Sequence, residues 1–190
     1  MDYVKTLRSL VGNFPLELPG TGIIVYKREG ASTFYLLQNR LDGNGVGLLG
    51  GGIELYETYR ECAVRELYEE SGILAEAEYF DLLDVYAGTR HITVYPSGDV
   101  VHHTVVVFSI DYDVCSHQEE VMSTNETKSL EWFDVSEISY LLQEGLIFPN
   151  NAPILEDLIN GKFQFWSSKA KRSHALNQCA GPSFFLYIYK

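Results

Sequence analysis

Hydrophobic and polar positions alternate with two different periods along the chain, and the switches between them mark its elements. Residues 3–11 place Val4, Leu7 and Leu10 or Val11 on one face of a short helix, with Gly12 as a stop. Pro15, Pro19 and Gly20 then break regular structure. Residues 22–27 read as a buried strand, and residues 34–38 as its hairpin partner across Arg28-Glu29-Gly30-Ala31-Ser32. Residues 42–52 hold six glycines and little polar bulk, which predicts a loop. In residues 57–71 the period changes. Tyr59, Ala63 and Leu67 fall four apart, an apolar helical stripe that Gly72 can close. Runs rich in Val, Ile, Tyr and Phe near 78–88, 91–95, 101–110 and 129–133 read as strands, with Pro96-Ser97-Gly98-Asp99 as a turn. Residues 111–128 are polar and read as a long loop, and helices follow near 135–143 and 153–160. A helix set between strands of mixed direction predicts an α/β fold, with helices packed on a mixed sheet.

Composition narrows the class. The 190 residues suit one domain, expected over residues 1–166, with 46% hydrophobic and 21% charged residues. No apolar run is long enough to cross a bilayer, and the first residues lack the charged-then-apolar plan of a signal peptide. Cys62, Cys115 and Cys179 are odd in number and far apart, with no CxxC pair, so a zinc site or disulfide framework is not expected and a reducing cytoplasm fits. A net charge of −12 argues against a nucleic-acid polymer as partner, since gripping a phosphate backbone needs a basic surface. The acidity is either a solubility device or, in part, a cation-binding cluster, and position has to separate the two. The segment 167–190 carries Lys169, Lys171 and Arg172 and then an apolar end, Phe184-Phe185-Leu186-Tyr187-Ile188-Tyr189. It reads as a C-terminal extension or an added edge strand, with a partner-binding segment as the rival.

The chemistry concentrates in residues 51–73. On a helix, Glu66, Glu69 and Glu70 stand three and four apart, so their carboxylates are expected to share a face. Like charges at that spacing destabilise a helix by a few tenths of a kcal/mol per pair, so something has to offset them. Hard divalent cations seek carboxylate oxygens and substrate phosphates. The glycines at 50–52 allow backbone to approach a metal or phosphate with no side chain between. Arg65, four residues before Glu69, can pair with it. The competing reading is a solvated glutamate-rich face.

The spacing decides between them. Gly51, five residues, Glu57, seven residues, Arg65-Glu66, apolar Leu67, any residue, Glu69-Glu70, any residue, Gly72 and apolar Ile73 meet every fixed position of the Nudix box. The chain therefore resembles the Nudix hydrolase family through a 23-residue signature. The resemblance implies an α/β/α sandwich around a mixed sheet. It implies an enzyme that hydrolyses the diphosphate linkage of a nucleoside diphosphate derivative, with ADP-ribose, nucleotide sugars and nucleoside triphosphates as candidate substrates. It also implies Mg²⁺, or Mn²⁺, held by Glu66, Glu69, Glu70 and the carbonyl of Gly51 or Gly50. Glu57 takes a supporting role beside Arg65, and Glu66 is one candidate for the base that accepts the water's proton. Glu126, six residues before Trp132, is a further candidate acid, with Glu119 and Glu120 as competitors in the same loop. The expected partner is a small molecule, with no membrane, and a homodimer is left open. The sequence departs from the family's usual loop at Val46 (Trp in many members), Leu49 (Pro) and Tyr56 (Gly); none of these removes a ligand.

Two rivals share the fold. A diphosphate isomerase needs acid–base chemistry on carbon, usually with a cysteine, and nothing marks Cys62 or Cys115 for it. A non-catalytic nucleotide-sensing module usually loses box glutamates, all of which are present here. His102 and His103 are weaker phosphate-contact candidates, and Asp99 is expected to shape a turn. A base-stacking aromatic is expected among the 13 Tyr and 10 Phe, but strand spacing singles none out.

Overall fold

The computed structural model describes residues 3–95, 97–117 and 127–165. Glu119, Glu120, Glu126 and the segment 167–190 lie outside the described residues. The elements run α1 (Tyr3–Val11), β1 (Leu16–Glu29), β2 (Ser32–Arg40), β3 (Val46–Gly47), α2 (Tyr59–Ser71), β4 (Ile73–Leu74), β5 (Asp81–Tyr86), β6 (Ile92–Val94), β7 (Val100–Asp111), β8 (Ser116–His117), β9 (Thr127–Phe133), α3 (Val135–Gln143) and α4 (Ala152–Ile159).

Among the described residues, seven strands form one mixed sheet. β1 and β7 run parallel from Leu16↔Val101 to Tyr26↔Asp111, while β1–β2, β2–β9, β2–β3, β5–β7 and β6–β7 are antiparallel. Successive residues of β1 serve opposite faces. Ile23 and Val25 join Ala63 and Leu67 of α2, whereas Ile24 and Tyr26 join Ile138 of α3 and Ile154, Leu155 and Leu158 of α4. Burial on both faces explains why the centre of β1 is a continuous apolar run. The layering is thus α2, sheet, α3 with α4, an α/β/α sandwich.

Several boundaries differ from the sequence reading. β1 starts at Leu16, ahead of the expected residue 22, because the backbone around Pro19 and Gly20 is paired on β7 and, on its other side, on the glycine loop. A proline in a strand removes only its own N–H, and the Pro19 carbonyl still accepts from Ile53 N–H at 3.2 Å. The expected strand near 78–88 is confined to β5, after a 3₁₀ turn at Ala77–Tyr79. The polar stretch expected as one loop contains β8, which pairs with β4 as a separate two-stranded ribbon. The loop 42–52 contains β3. No helix among the described residues is long and apolar enough to cross a membrane.

Candidate active site

The site forms where β1 and β2 part company. Their pairing spans Val25↔Leu36 to Glu29↔Ser32; beyond it the two strands diverge, and the glycine loop enters the gap. Ile23 N–H donates to Leu49 O and Thr21 N–H to Gly51 O, each at 2.8 Å. A Cβ on Gly20 would lie 2.5 Å from Gly51 O, so glycine at 20 lets the two backbones meet. Leu49, the residue at the family's proline position, is fully buried beneath α2, and Val46 is buried against the α3/α4 side.

α2 is set by its ends. Thr58 caps it in a reciprocal capping box with Glu61, and Gly72 closes it in the left-handed conformation at φ 70. These fix the rotation of the helix, with Ala63 and Leu67 against the sheet. Glu70 continues that stripe, three positions after Leu67, and is only 4% exposed. A buried carboxylate must be hydrogen-bonded to be tolerated. Glu70 Oε2 accepts from Gly50 N–H at 2.7 Å and Oε1 from Gln38 Nε2 at 3.0 Å. Gln38 also donates to Leu48 O at 3.0 Å and accepts from Thr127 Oγ1 at 2.8 Å. β2, the glycine loop and α2 therefore meet on one carboxylate, and the first residue of β9 joins them through Gln38. Thr127 is the chain neighbour of Glu126.

Arg65 organises the other carboxylates. Its Nε donates to Glu57 Oε1 at 2.7 Å and its Nη2 to Glu57 Oε2 at 3.0 Å, a two-pronged pair. Its Nη1 donates to Glu66 Oε1 at 2.7 Å and to Glu69 Oε2 at 3.2 Å, and its Nη2 also to Gly52 O at 2.9 Å. The expected Arg65–Glu69 pair is present, but Glu57 and Glu66 are the closer partners. These bonds draw the Glu57 carboxyl below the ordinary glutamate range and push the Arg65 guanidinium further up. Glu66 packs on Gly51, where an added Cβ would lie 2.5 Å from its Oε1. The Gly51 carbonyl turns to Thr21 N–H.

The three box glutamates thus occupy three environments: Glu70 inside, Glu66 mostly covered on Gly51 with its side chain 13% exposed, and Glu69 with its side chain 58% exposed. Among the described residues, no three His, Cys, Asp or Glu side chains are gathered closely enough to hold a metal ion. The donor set nonetheless suits a hard divalent cation in kind. It offers carboxylate oxygens in excess, Glu57, Glu66, Glu69 and Glu70 against the single guanidinium of Arg65, and a glycine where any side chain would displace Glu66.

A strained residue stands at the rim. Glu57 N–H donates to Glu54 O at 3.3 Å, closing a four-residue turn, and Glu54 N–H donates back to Glu57 Oε2 at 2.9 Å. The third residue is Tyr56, at φ 71, the one non-glycine residue with positive φ among those described. That conformation costs an L-residue about 1–2 kcal/mol.

Other candidates fall outside this cluster. Cys62 is fully buried under the loop, 3.5 Å from Gly52 O and 3.4 Å from Thr21 Oγ1, and burial pushes its thiol up to about 11. Burial pushes the Cys115 thiol up to about 12. His102 is exposed, and His103 Nε2 lies 3.1 Å from Thr93 Oγ1, a hydroxyl that also accepts from Asn150 beside α4. Asp99 shapes its turn as expected, accepting from Ser97 Oγ at 2.7 Å and pairing with Arg8 at 3.3 Å. Sequence reasoning missed Gln38 and Thr127. The available signal was a lone amide ending the apolar run Tyr35-Leu36-Leu37.

The fold has counterparts among solved structures. The NUDIX domain of Shewanella oneidensis NrtR, in a cocrystal with ADP ribose, is 17% identical with a TM-score of 0.54, over 86% of this chain and 100% of that one. A NUDIX hydrolase from Nitrosomonas europaea is 17% identical with a TM-score of 0.55, over 80% of this chain and 98% of that one. A MutT/nudix family protein from Enterococcus faecalis is 17% identical with a TM-score of 0.50 over 70% of this chain; the present chain spans about half, 51%, of that protein. No curated protein matches the chain significantly. The family model described as NUDIX domain matches residues 17–158, from the start of β1 to the end of α4. With that match over most of its length, and with the complete box folded as loop, helix and loop, the chain belongs to the Nudix family.

Proposed function

We propose that the chain is a pyrophosphohydrolase that cuts the diphosphate linkage of a nucleoside diphosphate derivative by water attack on phosphorus. The observation that carries the reading is the Arg65 hub, which holds Glu57, Glu66 and Glu69 on one side of α2 while Glu70 is fixed from the other by Gln38 and Gly50. Positioning of this kind is what catalysis on a phosphoryl group mostly requires of a protein. Glu66, Glu69 and Glu70 would hold Mg²⁺ or Mn²⁺, which supplies neutralisation of charge on the phosphate oxygens.

The chain's own residues do the rest. Arg65 orients Glu66 and Glu69 and keeps Glu57 ionised. Glu66, resting on Gly51, is one candidate to accept the proton of the attacking water as the water oxygen bonds to phosphorus and the bridging oxygen leaves with the second phosphate. Glu126 is a second candidate for that proton, and support for it comes from Thr127, which reaches Gln38 in the network around Glu70. ADP-ribose, nucleotide sugars and nucleoside triphosphates are the substrate groups to test.

A second reading, a nucleotide-binding module without turnover, is favoured by the separation of the three box carboxylates among the described residues. An isomerase is disfavoured, because both described cysteines are held well above the pKa useful for acid–base work at neutral pH. The deciding experiment is a screen for phosphate and nucleotide release with Mg²⁺ or Mn²⁺ across these substrates. Turnover abolished by EDTA and restored by metal is expected. Tight nucleotide binding with no product supports the binding module, and turnover that survives complete chelation removes the metal mechanism.

A further inference from the structure

We infer that Tyr56 is the stacking platform for the substrate's aromatic base, a role that rests on the hydrolase reading of the adjacent site. Three observations lead there. Tyr56 occupies the third position of the turn at 54–57 with φ 71, a place that type II turns give to glycine or asparagine. Its side chain repays none of that strain within the fold: it is fully exposed, at 102%, and makes no hydrogen bond or ring contact among the described residues. The turn that holds it is tied to the site, because Glu57 is bonded to Arg65 twice and to Glu54 N–H once.

Backbone strain of this kind persists where its surroundings over-determine it, and it concentrates at binding and catalytic sites. Here the Arg65–Glu57 pair imposes the turn, and the turn presents one aromatic face at the rim. Leu55, 60% exposed, stands next to it in the same turn. One guanidinium joins this turn to the carboxylates proposed to hold the diphosphate: Arg65 binds Glu57 through Nε and Nη2, and Glu66 and Glu69 through Nη1. An aromatic ring with no polar neighbour directed at it offers stacking, which every nucleobase accepts, and no hydrogen-bond readout. The expected consequence is affinity for a base with little discrimination among bases.

Calorimetric binding of AMP and of ribose 5-phosphate, in Mg²⁺, isolates the base's contribution without requiring turnover. The wild-type protein should bind AMP more tightly than ribose 5-phosphate by about tenfold, the size of one base–aromatic stack. Tyr56→Phe keeps the ring and should keep that ratio. Tyr56→Gly removes the ring and relieves the turn, so the ratio should fall to near one while the melting temperature stays level or rises by about 2 °C. A ratio preserved in Tyr56→Gly overturns the inference, as does a wild-type protein indifferent to the base. A change confined to oligomeric state in sedimentation, with the ratio intact, assigns the ring to contact between copies and overturns it equally. A Tyr56-dependent ratio in a protein that hydrolyses nothing keeps Tyr56 as a platform for the base of a bound nucleotide and removes the hydrolase reading.

Discussion

Glu69 and Glu70 are adjacent in sequence and live in opposite worlds. Glu70 points into the sheet, 4% exposed, and its oxygens are taken by a backbone N–H and a buried amide. Glu69 points outward, its side chain 58% exposed, with Arg65 Nη1 as its partner at 3.2 Å. One carboxylate is positioned by the fold and the other by a single side chain. The difference teaches that a helix carrying three acidic residues need not present them alike: a rotation of about 100° per residue is enough to place one in the core and the next in water.

Replacing each with glutamine is the sharpest way to break the comparison, and it carries the largest expected effect. Both variants should lose turnover by orders of magnitude, since each removes a charge from the site. Only Glu70→Gln should also lose stability, by about 1–3 kcal/mol, because an amide nitrogen then confronts either Gly50 N–H or the Gln38 amide, donor against donor. Glu69→Gln should stay within about 0.5 kcal/mol of wild type in urea unfolding. Wild-type turnover in Glu69→Gln would make that residue a solvated acid and leave the site to the interior carboxylate.

Arg65→Lys tests the outward side more gently. A lysine ammonium is a single point and cannot span Glu57, Glu66, Glu69 and the Gly52 carbonyl together. A fall in kcat of about 100-fold is expected from misplaced carboxylates, with the substrate Kd changing far less. The same variant should alter stability against pH. Arg65 holds the folded Glu57 pKa below its ordinary value of 4.5. That pair's stabilisation is therefore complete above pH 4.5 and fades as pH falls through the lower folded value. Arg65→Lys should flatten this acid limb, and an unchanged limb in pH-dependent unfolding would mean that Glu57 is stabilised by something else.

The smallest effect is expected at Cys62. Its thiol is fully buried and raised to about 11, so native protein at pH 8 should resist alkylation, and Cys62→Ala should keep kcat within severalfold. Rapid alkylation coupled to loss of activity would place the loop, and with it the Gly50 anchor of Glu70, in an open state.

Much of the site was legible in the chain. The box spacing singled out Glu57, Arg65, Glu66, Glu69 and Glu70, and α2 with its preceding loop brings Glu57, Glu66 and Glu69 onto Arg65 and Glu70 onto Gly50. The 3.6-residue period even carried the fate of Glu70, which lies three positions from Leu67 and seven from Ala63 on the buried stripe. Apolar runs and the stop at Gly72 located most elements to within a few positions, since these signals are local, while β1 begins six residues ahead of its apolar run.

What the sequence could not determine is non-local. That Gln38 donates to Glu70, and that Thr127 in turn donates to Gln38 from 89 residues away in sequence, depends on β2 and β9 pairing beside α2. That Tyr56 stands in strain with its ring in water depends on a salt bridge formed eight residues later. Local periodicity sets which way a side chain leaves its own element. Only the divergence of β1 from β2 and the glycine loop lodged between them decided which groups those side chains would meet, because that meeting is fixed by packing between elements and not by the propensity of any one of them.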